Sequence, residues 1–163
     1  LVAIGEIGVD EYWVKGHLNK QIDLLHKMLN LASKLGKPAI IHSRGAEEAC
    51  IEAIQSNKIT GKKIVMHCFG GNKTLMKAGS EHGYSFSVPT NVVRAHSFQT
   101  LVKIVGINQL FTETDAPFLG PVKNERNEPA NIPIAVKKIA EIKGFNEQEV
   151  KDNILLNWKR LIS

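Results

Sequence analysis

Four residues with metal-binding side chains each follow an apolar run in the sequence: Glu6, His42, His67 and Asp115. This pattern is typical of a parallel α/β sheet, which carries its functional groups at the carboxyl ends of its strands. A lone histidine there is more often structural, and a lone acid can simply pair with a neighbouring arginine. Four such residues together favour one metal site, because consecutive strands of a right-handed βα array end at one rim. Two imidazoles and two carboxylates suit Zn²⁺ or Mn²⁺ better than Mg²⁺.

Three further residues near these positions have a functional and a structural interpretation. Glu113 stands two residues before Asp115, so the two would face the same side of a strand. Glu113 is expected to have one of two roles. It either forms a hydrogen bond to one of the metal ligands, on the side away from the metal, or it is a buried structural acid. Tyr12 and Trp13 follow the first apolar run. Such aromatic rings can stack on nucleobases, but packing is the commoner use and is the one predicted here.

Apolar runs alternate with segments of helical spacing, which predicts a parallel βα architecture. Strands are expected at residues 1–7, 38–41, 63–66 and 84–88, and from Leu110 to Asp115. Helices are expected from residue 18 to a stop at Gly36, at about 46–55, 73–81, 98–105 and 133–143, and from Asn146 onwards. The irregular segment between Asp115 and about residue 131 is long enough to indicate a functional loop.

The composition is that of one folded domain, covering residues 1–163. The chain is 43% hydrophobic and 23% charged, and no apolar run approaches the roughly 20 residues of a membrane span. Two cysteines, Cys50 and Cys68, make a disulfide framework improbable and predict a reducing, cytoplasmic setting. The net charge of +5 permits an anionic substrate, although surplus lysine is also common on solvated surfaces.

Five short blocks resemble the signature sequences of the TatD family of metal-dependent hydrolases and DNases. They are residues 3–10, 40–44, 66–71, 112–117 and 126–129, in the family's order and at its approximate spacing. The resemblance implies an α/β fold, a TIM (β/α)8 barrel of the metal-dependent hydrolase type, with two divalent metal ions (Zn, Mn, Mg or similar). It also implies a deoxyribonuclease that cleaves phosphodiester bonds in DNA with a water activated by the two ions.

The resemblance assigns a role to each candidate residue. Glu6 bridges both ions, His42 and His67 each bind one, and Asp115 is a ligand that can take the proton of the attacking water. Glu6 and Asp115 are therefore the catalytic candidates. Arg44 and Arg126 are candidates for holding a substrate phosphate, with surface or loop salt bridges as the alternative.

The sequence also departs from the family's pattern. It contains no His-x-His pair, which in the family lies on the first barrel strand and supplies two further metal ligands, and Glu6 corresponds to the fourth strand. Gly45 stands where the family usually has Asp. A complete barrel needs about 250 residues, so we expect a C-terminal portion with about five of eight strands and a missing N-terminal barrel segment. The alternatives are a non-catalytic fragment or scaffold of the fold, and a hydrolase of another ester or amide.

Overall fold

The computed structural model describes residues 1–163 and contains five β-strands that alternate with helices. The strands are β1 (Ile4–Asp10), β2 (Ala39–Arg44), β3 (Ile64–His67), β4 (Ser85–Pro89) and β5 (Leu110–Glu113). The helices are α1 (Leu18–Lys34), α2 (Glu47–Gln55), α3 (Lys73–Glu81), α4 (His96–Ile104), α5 (Ile132–Lys143) and α6 (Glu147–Ile162). The strands pair in chain order, β1 to β5, and every pair is parallel. The predicted α/β class with five parallel strands is confirmed.

The helices pack beside the sheet in the order of the chain. Helix α1 contacts β1, each helix contacts the next one, and α6 contacts β5. Sequential parallel strands joined by right-handed crossovers place their helices on the same face of the sheet. A core cluster of 30 buried residues joins helices and strands, and every residue of β3 and β4 is buried. Both strands are buried because both of their faces are covered. Strand β3 is apolar up to His67, whereas β4 also buries the polar residues Ser85 and Ser87.

The helix ends follow local sequence signals. Helix α6 begins with a capping box, in which the Asn146 side chain accepts from the Glu149 N–H and the Glu149 carboxylate accepts from the Asn146 N–H. Such a cap typically contributes about 1 kcal/mol to helix stability. Helix α5 ends at Gly144, which takes a left-handed φ of 72°. No helix of the chain combines the length and the apolar character that a bilayer span requires.

Strand β1 lies three residues later in the chain than predicted, at Ile4–Asp10 instead of residues 1–7, because it pairs with β2 beyond residue 7. Gly8 lies opposite His42, and Asp10 lies opposite Arg44. A Cβ on Gly8 would stand 1.8 Å from the carbonyl oxygen of His42, and the φ of Gly8 is +148°. Only glycine permits this close approach of the two backbones. The strand therefore ends at Asp10 and carries Glu6 within it.

Strand β5 is shorter than predicted. It ends at Glu113, whereas the sequence indicated a strand that runs to Asp115. Asp115 has a φ of 58°, in the left-handed region, which is incompatible with a strand. Its carbonyl oxygen accepts a hydrogen bond from the Phe118 N–H at 2.8 Å. Asp115 therefore belongs to the turn after β5, and its side chain is directed by that turn.

Candidate metal centre

Three of the predicted ligands come together on neighbouring strands. Glu6 lies where the pairing of β1 with β2 is irregular, between Ile4 and Ile7, and such an irregularity turns a side chain to a new direction. His42 and His67 stand directly opposite each other on β2 and β3. One ligand atom from each of Glu6, His42 and His67 lies within 4.8 Å of the others.

Asp115 joins this cluster from the turn after β5. Its Oδ1 lies 3.6 Å from Nε2 of His67, and Oε1 of Glu6 lies 3.6 Å from the same nitrogen. Two ligands on a tetrahedral zinc ion lie roughly 3.4 Å apart, given metal–ligand distances of about 2.1 Å. The imidazole nitrogens and carboxylate oxygens therefore fit a divalent metal ion in both type and spacing.

Glu113 contacts the His67 ring at Nδ1, whereas Glu6 and Asp115 lie near Nε2. Its Oε2 contacts Nδ1 of His67, and its Oε1 accepts from the Cys68 N–H at 2.9 Å and from the Ser87 hydroxyl at 2.6 Å. Burial would raise the pKa of Glu113, but the hydrogen bonds from His67 and its other neighbours outweigh burial and lower it. Burial would lower the pKa of His67, but the hydrogen bond and charge of Glu113, together with the charges of Glu6 and Asp115, outweigh burial and raise it. A carboxylate placed in this way fixes the orientation of a metal-binding imidazole.

Asp10 contacts His42 in the same way that Glu113 contacts His67. This role of Asp10 was not predicted from the sequence. Its Oδ2 lies 2.9 Å from Nε2 of His42, while its Oδ1 accepts from the N–H groups of Tyr12 at 2.9 Å and Trp13 at 2.7 Å. Burial would raise the pKa of Asp10, but these hydrogen bonds together lower it. The sequence did carry a signal for Asp10, because it too is an acidic residue at the end of a predominantly apolar strand.

Asp115 has a different electrostatic setting. Burial raises the pKa of its carboxyl; the nearby imidazole of His67 offsets part of this rise, and the carboxylates of Glu113 and Glu6 add to it. Clustered carboxyls with this kind of shift are common at functional sites. A bound cation would reverse the shift by stabilising the charged form.

A cavity of about 780 Å³ opens over the cluster. Its walls include the four ligand candidates and also Arg44, Trp13 and Phe118. Arg126 is exposed and lies outside these walls, so the structure does not bring this predicted substrate-binding residue to the site.

The neighbour of Arg126, Asn127, fixes the loop after β5. The residue is 1% exposed, and its side chain donates to the carbonyl oxygens of Thr114 at 2.7 Å and Phe118 at 2.8 Å. Its Oδ1 accepts from the Glu128 N–H at 3.0 Å. These bonds span the turn that contains Asp115, so Asn127 positions that residue indirectly. In the sequence, Asn127 was recognisable only as part of the block at residues 126–129.

The loop after β1 carries two exposed aromatic rings. Tyr12 is 54% exposed and Trp13 is 74% exposed, so the prediction that they pack inside is wrong. The Asp10 side chain, by accepting both of their backbone N–H groups, turns the loop at the rim, where no helix covers the rings. The guanidinium carbon of Arg44 lies 3.9 Å from the centre of the Tyr12 ring and 5.6 Å from that of Trp13.

The sequence of the chain matches a known protein family. A family model described as TatD related DNase matches residues 1–163. An uncharacterized metal-dependent hydrolase of Methanocaldococcus jannaschii is 36% identical over 158 residues, which are 96% of this chain and 61% of that protein. The human deoxyribonuclease TATDN3 is 36% identical over 154 residues, covering 92% of this chain and 56% of the relative.

The fold has a counterpart among solved structures. The crystal structure of the TatD homologue YJJV from Escherichia coli superposes with a TM-score of 0.88 at 24% identity. The match covers 99% of this chain and 64% of that one. The chain thus spans less than two thirds of the length of each of these three proteins.

Proposed function

The chain belongs to the family of TatD-related DNases, and from this premise we propose that it contributes the metal centre of a hydrolase that cleaves phosphodiester bonds in DNA. The observation that carries the proposal is the convergence of Glu6, His42, His67 and Asp115 at one cavity. DNA as the substrate is supported by the name of the human relative, a deoxyribonuclease.

Glu6, His42, His67 and Asp115 would hold the divalent metal, two ions by the family resemblance. Bound there, the metal would acidify a water molecule and stabilise the charge on phosphate oxygens. Both histidines keep a fixed orientation, because Asp10 engages His42 and Glu113 engages His67.

Asp115 is the proposed general base. Its side chain is 37% exposed and lines the cavity, so a water molecule can reach it. The charged carboxylate, which a bound cation would stabilise, can accept a proton from that water molecule. Asn127 holds the turn on both sides of Asp115, which limits the positions that the carboxylate can take.

Arg44 is the proposed phosphate-binding residue. It lines the cavity and makes no ion pair within the chain, so its N–H groups are available to a substrate. The planar guanidinium matches two oxygens of a phosphate at once.

Removal and return of metal test the proposal. Protein stripped with EDTA should cleave no labelled oligonucleotide, and added Zn²⁺, Mn²⁺ or Mg²⁺ should restore cleavage. A His67→Ala variant purified in the same way controls for a contaminating nuclease. Full activity in excess EDTA would rule out the metal mechanism, and restored hydrolysis of carboxylic esters or amides without DNA cleavage would reject DNA as the substrate.

Metal analysis tests the number of ions separately. Two ions per protein molecule are expected, and Glu6→Gln should reduce that number because Glu6 is assigned to both. A stoichiometry of one in the native protein would contradict a two-ion centre while leaving a metal-dependent hydrolase in place.

A further inference from the structure

Trp13 is a large aromatic residue whose side chain is exposed to solvent. It is 74% exposed, and it lines the same cavity as Glu6 and His42. An indole ring buries much apolar surface when it is covered, and Trp13 lies in the wall of the cavity, where a bound ligand could cover the ring.

The loop that carries Trp13 is held in place by several hydrogen bonds. Asp10 accepts the Trp13 N–H at 2.7 Å through the same side chain that meets His42. The Gln21 side chain on α1 donates to the carbonyl oxygens of Asp10 at 3.1 Å and Val14 at 3.2 Å. The ring is therefore presented on an ordered loop, which reduces the entropy lost when a ligand binds.

Tyr12 and Arg44 support the indole from the side. The Tyr12 and Trp13 rings meet edge to face, with centres 4.8 Å apart and planes at 89°. The Arg44 guanidinium lies over the Tyr12 ring at 3.9 Å, a cation–π contact that orients it. Because one face of Arg44 is used in this way, its N–H edge keeps a defined direction beside the metal centre.

An aromatic face next to a guanidinium edge matches the two parts of a nucleotide. The base offers a flat π surface, and the phosphate offers oxygens that accept hydrogen bonds. The cavity places both features beside the candidate metal ligands, where the scissile phosphate would have to lie.

We propose that Trp13, supported by Tyr12 and Arg44, is a stacking site for the nucleobase next to the phosphate that the metal centre receives. The proposal rests on the proposed function for the identity of the substrate. Stacking uses the face of the base and not its hydrogen-bonding edge, so the site tolerates all four bases. A base can stack on this site only if one of its faces is not already covered by a neighbouring base.

A fluorescent base tests the site without hydrolysis. A short single-stranded oligonucleotide carrying 2-aminopurine is titrated into the protein in excess EDTA, and quenching of its fluorescence reports stacking. Trp13→Leu should weaken the binding by about tenfold or more, whereas Trp13→Tyr should stay within about threefold of the native protein. Trp158→Leu, which removes the tryptophan of α6, should leave the titration unchanged.

Three results would overturn the stacking site. The first is equal quenching by the native protein and Trp13→Leu, and the second is no quenching by either, as expected if the indole faces another protein. The third is a loss of more than about 4 °C in the melting temperature of Trp13→Leu, which would make Trp13 a packing residue. Because the titration is done without metal, it stands whether or not the protein hydrolyses DNA.

Discussion

The carboxylate of Glu113 contacts Nδ1 of His67, while Nε2 of the same ring lies 3.6 Å from both Glu6 and Asp115. One side of the imidazole is thus held by the protein, and the other side faces the candidate metal ligands. The orientation of His67 depends on a residue two strands away, because β4 lies between β3 and β5.

Glu113→Gln should therefore weaken metal binding by about 10- to 100-fold, because the amide cannot replace the charged acceptor on Nδ1. Titration calorimetry of EDTA-treated protein with Zn²⁺ measures the effect. Glu125→Gln, a change of the same kind on an exposed acid, is the matched control. Unchanged zinc affinity in Glu113→Gln would show that Glu113 is only a buried structural acid.

Asp115→Asn should fold normally but lose about 10²- to 10⁴-fold in turnover, because the amide cannot accept the proton of water. Asparagine suits this position because it tolerates the left-handed φ of 58° better than most residues. Initial rates on a labelled oligonucleotide and thermal melting check both parts, with Asp23→Asn on α1 as the control. A variant that keeps near-native rates would remove Asp115 from the mechanism.

Two substitutions of Asp10 should separate its two contacts. Asp10→Asn keeps an oxygen for the N–H groups of Tyr12 and Trp13 but loses the charge that meets His42. It should weaken zinc binding by about 10- to 100-fold and leave 2-aminopurine quenching intact. Asp10→Ala removes both contacts and should impair both measurements. Full quenching by Asp10→Ala would argue against a role of Asp10 in shaping the loop.

The two arginines suggested for phosphate binding should behave differently. Arg44→Ala should lower kcat/KM on DNA by about tenfold or more, because it removes a charge-assisted hydrogen bond at the cavity. Arg126→Ala should remain within about threefold of the native value, because Arg126 is exposed outside the cavity. Comparable losses in the two variants would mean that the loop carrying Arg126 reaches the substrate.

Cys50 should resist alkylation over the whole neutral and mildly alkaline range. It is fully buried, and burial, with a further contribution from Glu47, raises the pKa of its thiol to about 12. An ordinary cysteine with a pKa of about 8.5 becomes reactive between about pH 7 and 9.5, since the thiolate is the nucleophile. The raised pKa of Cys50 moves the pH range in which its thiol becomes reactive to higher values. Mass spectrometry of the peptide containing Cys50 after iodoacetamide treatment should show labelling only in guanidinium chloride, and labelling of the native protein at pH 8 would contradict the prediction.

Local sequence patterns were sufficient for the order of strands and helices. Apolar runs of strand length, helical spacing and stop signals such as Gly144 act over a few residues, so they can be recognised without a structure. The capping box of Asn146 and Glu149 is of the same kind. The ends of β1 and β5 were misplaced because strand pairing and a left-handed φ, not hydrophobicity, determine them.

The sequence by itself thus determined the parallel βα architecture and the presence of metal-capable residues near its strand ends. Only the tertiary structure decided which side chains meet: Asp10 with His42, and Glu113 with His67. It also left Trp13 exposed and Arg126 outside the cavity. These relationships depend on the register between strands and on the turns that follow them, and residues far apart in sequence come within hydrogen-bonding distance only after the sheet has formed.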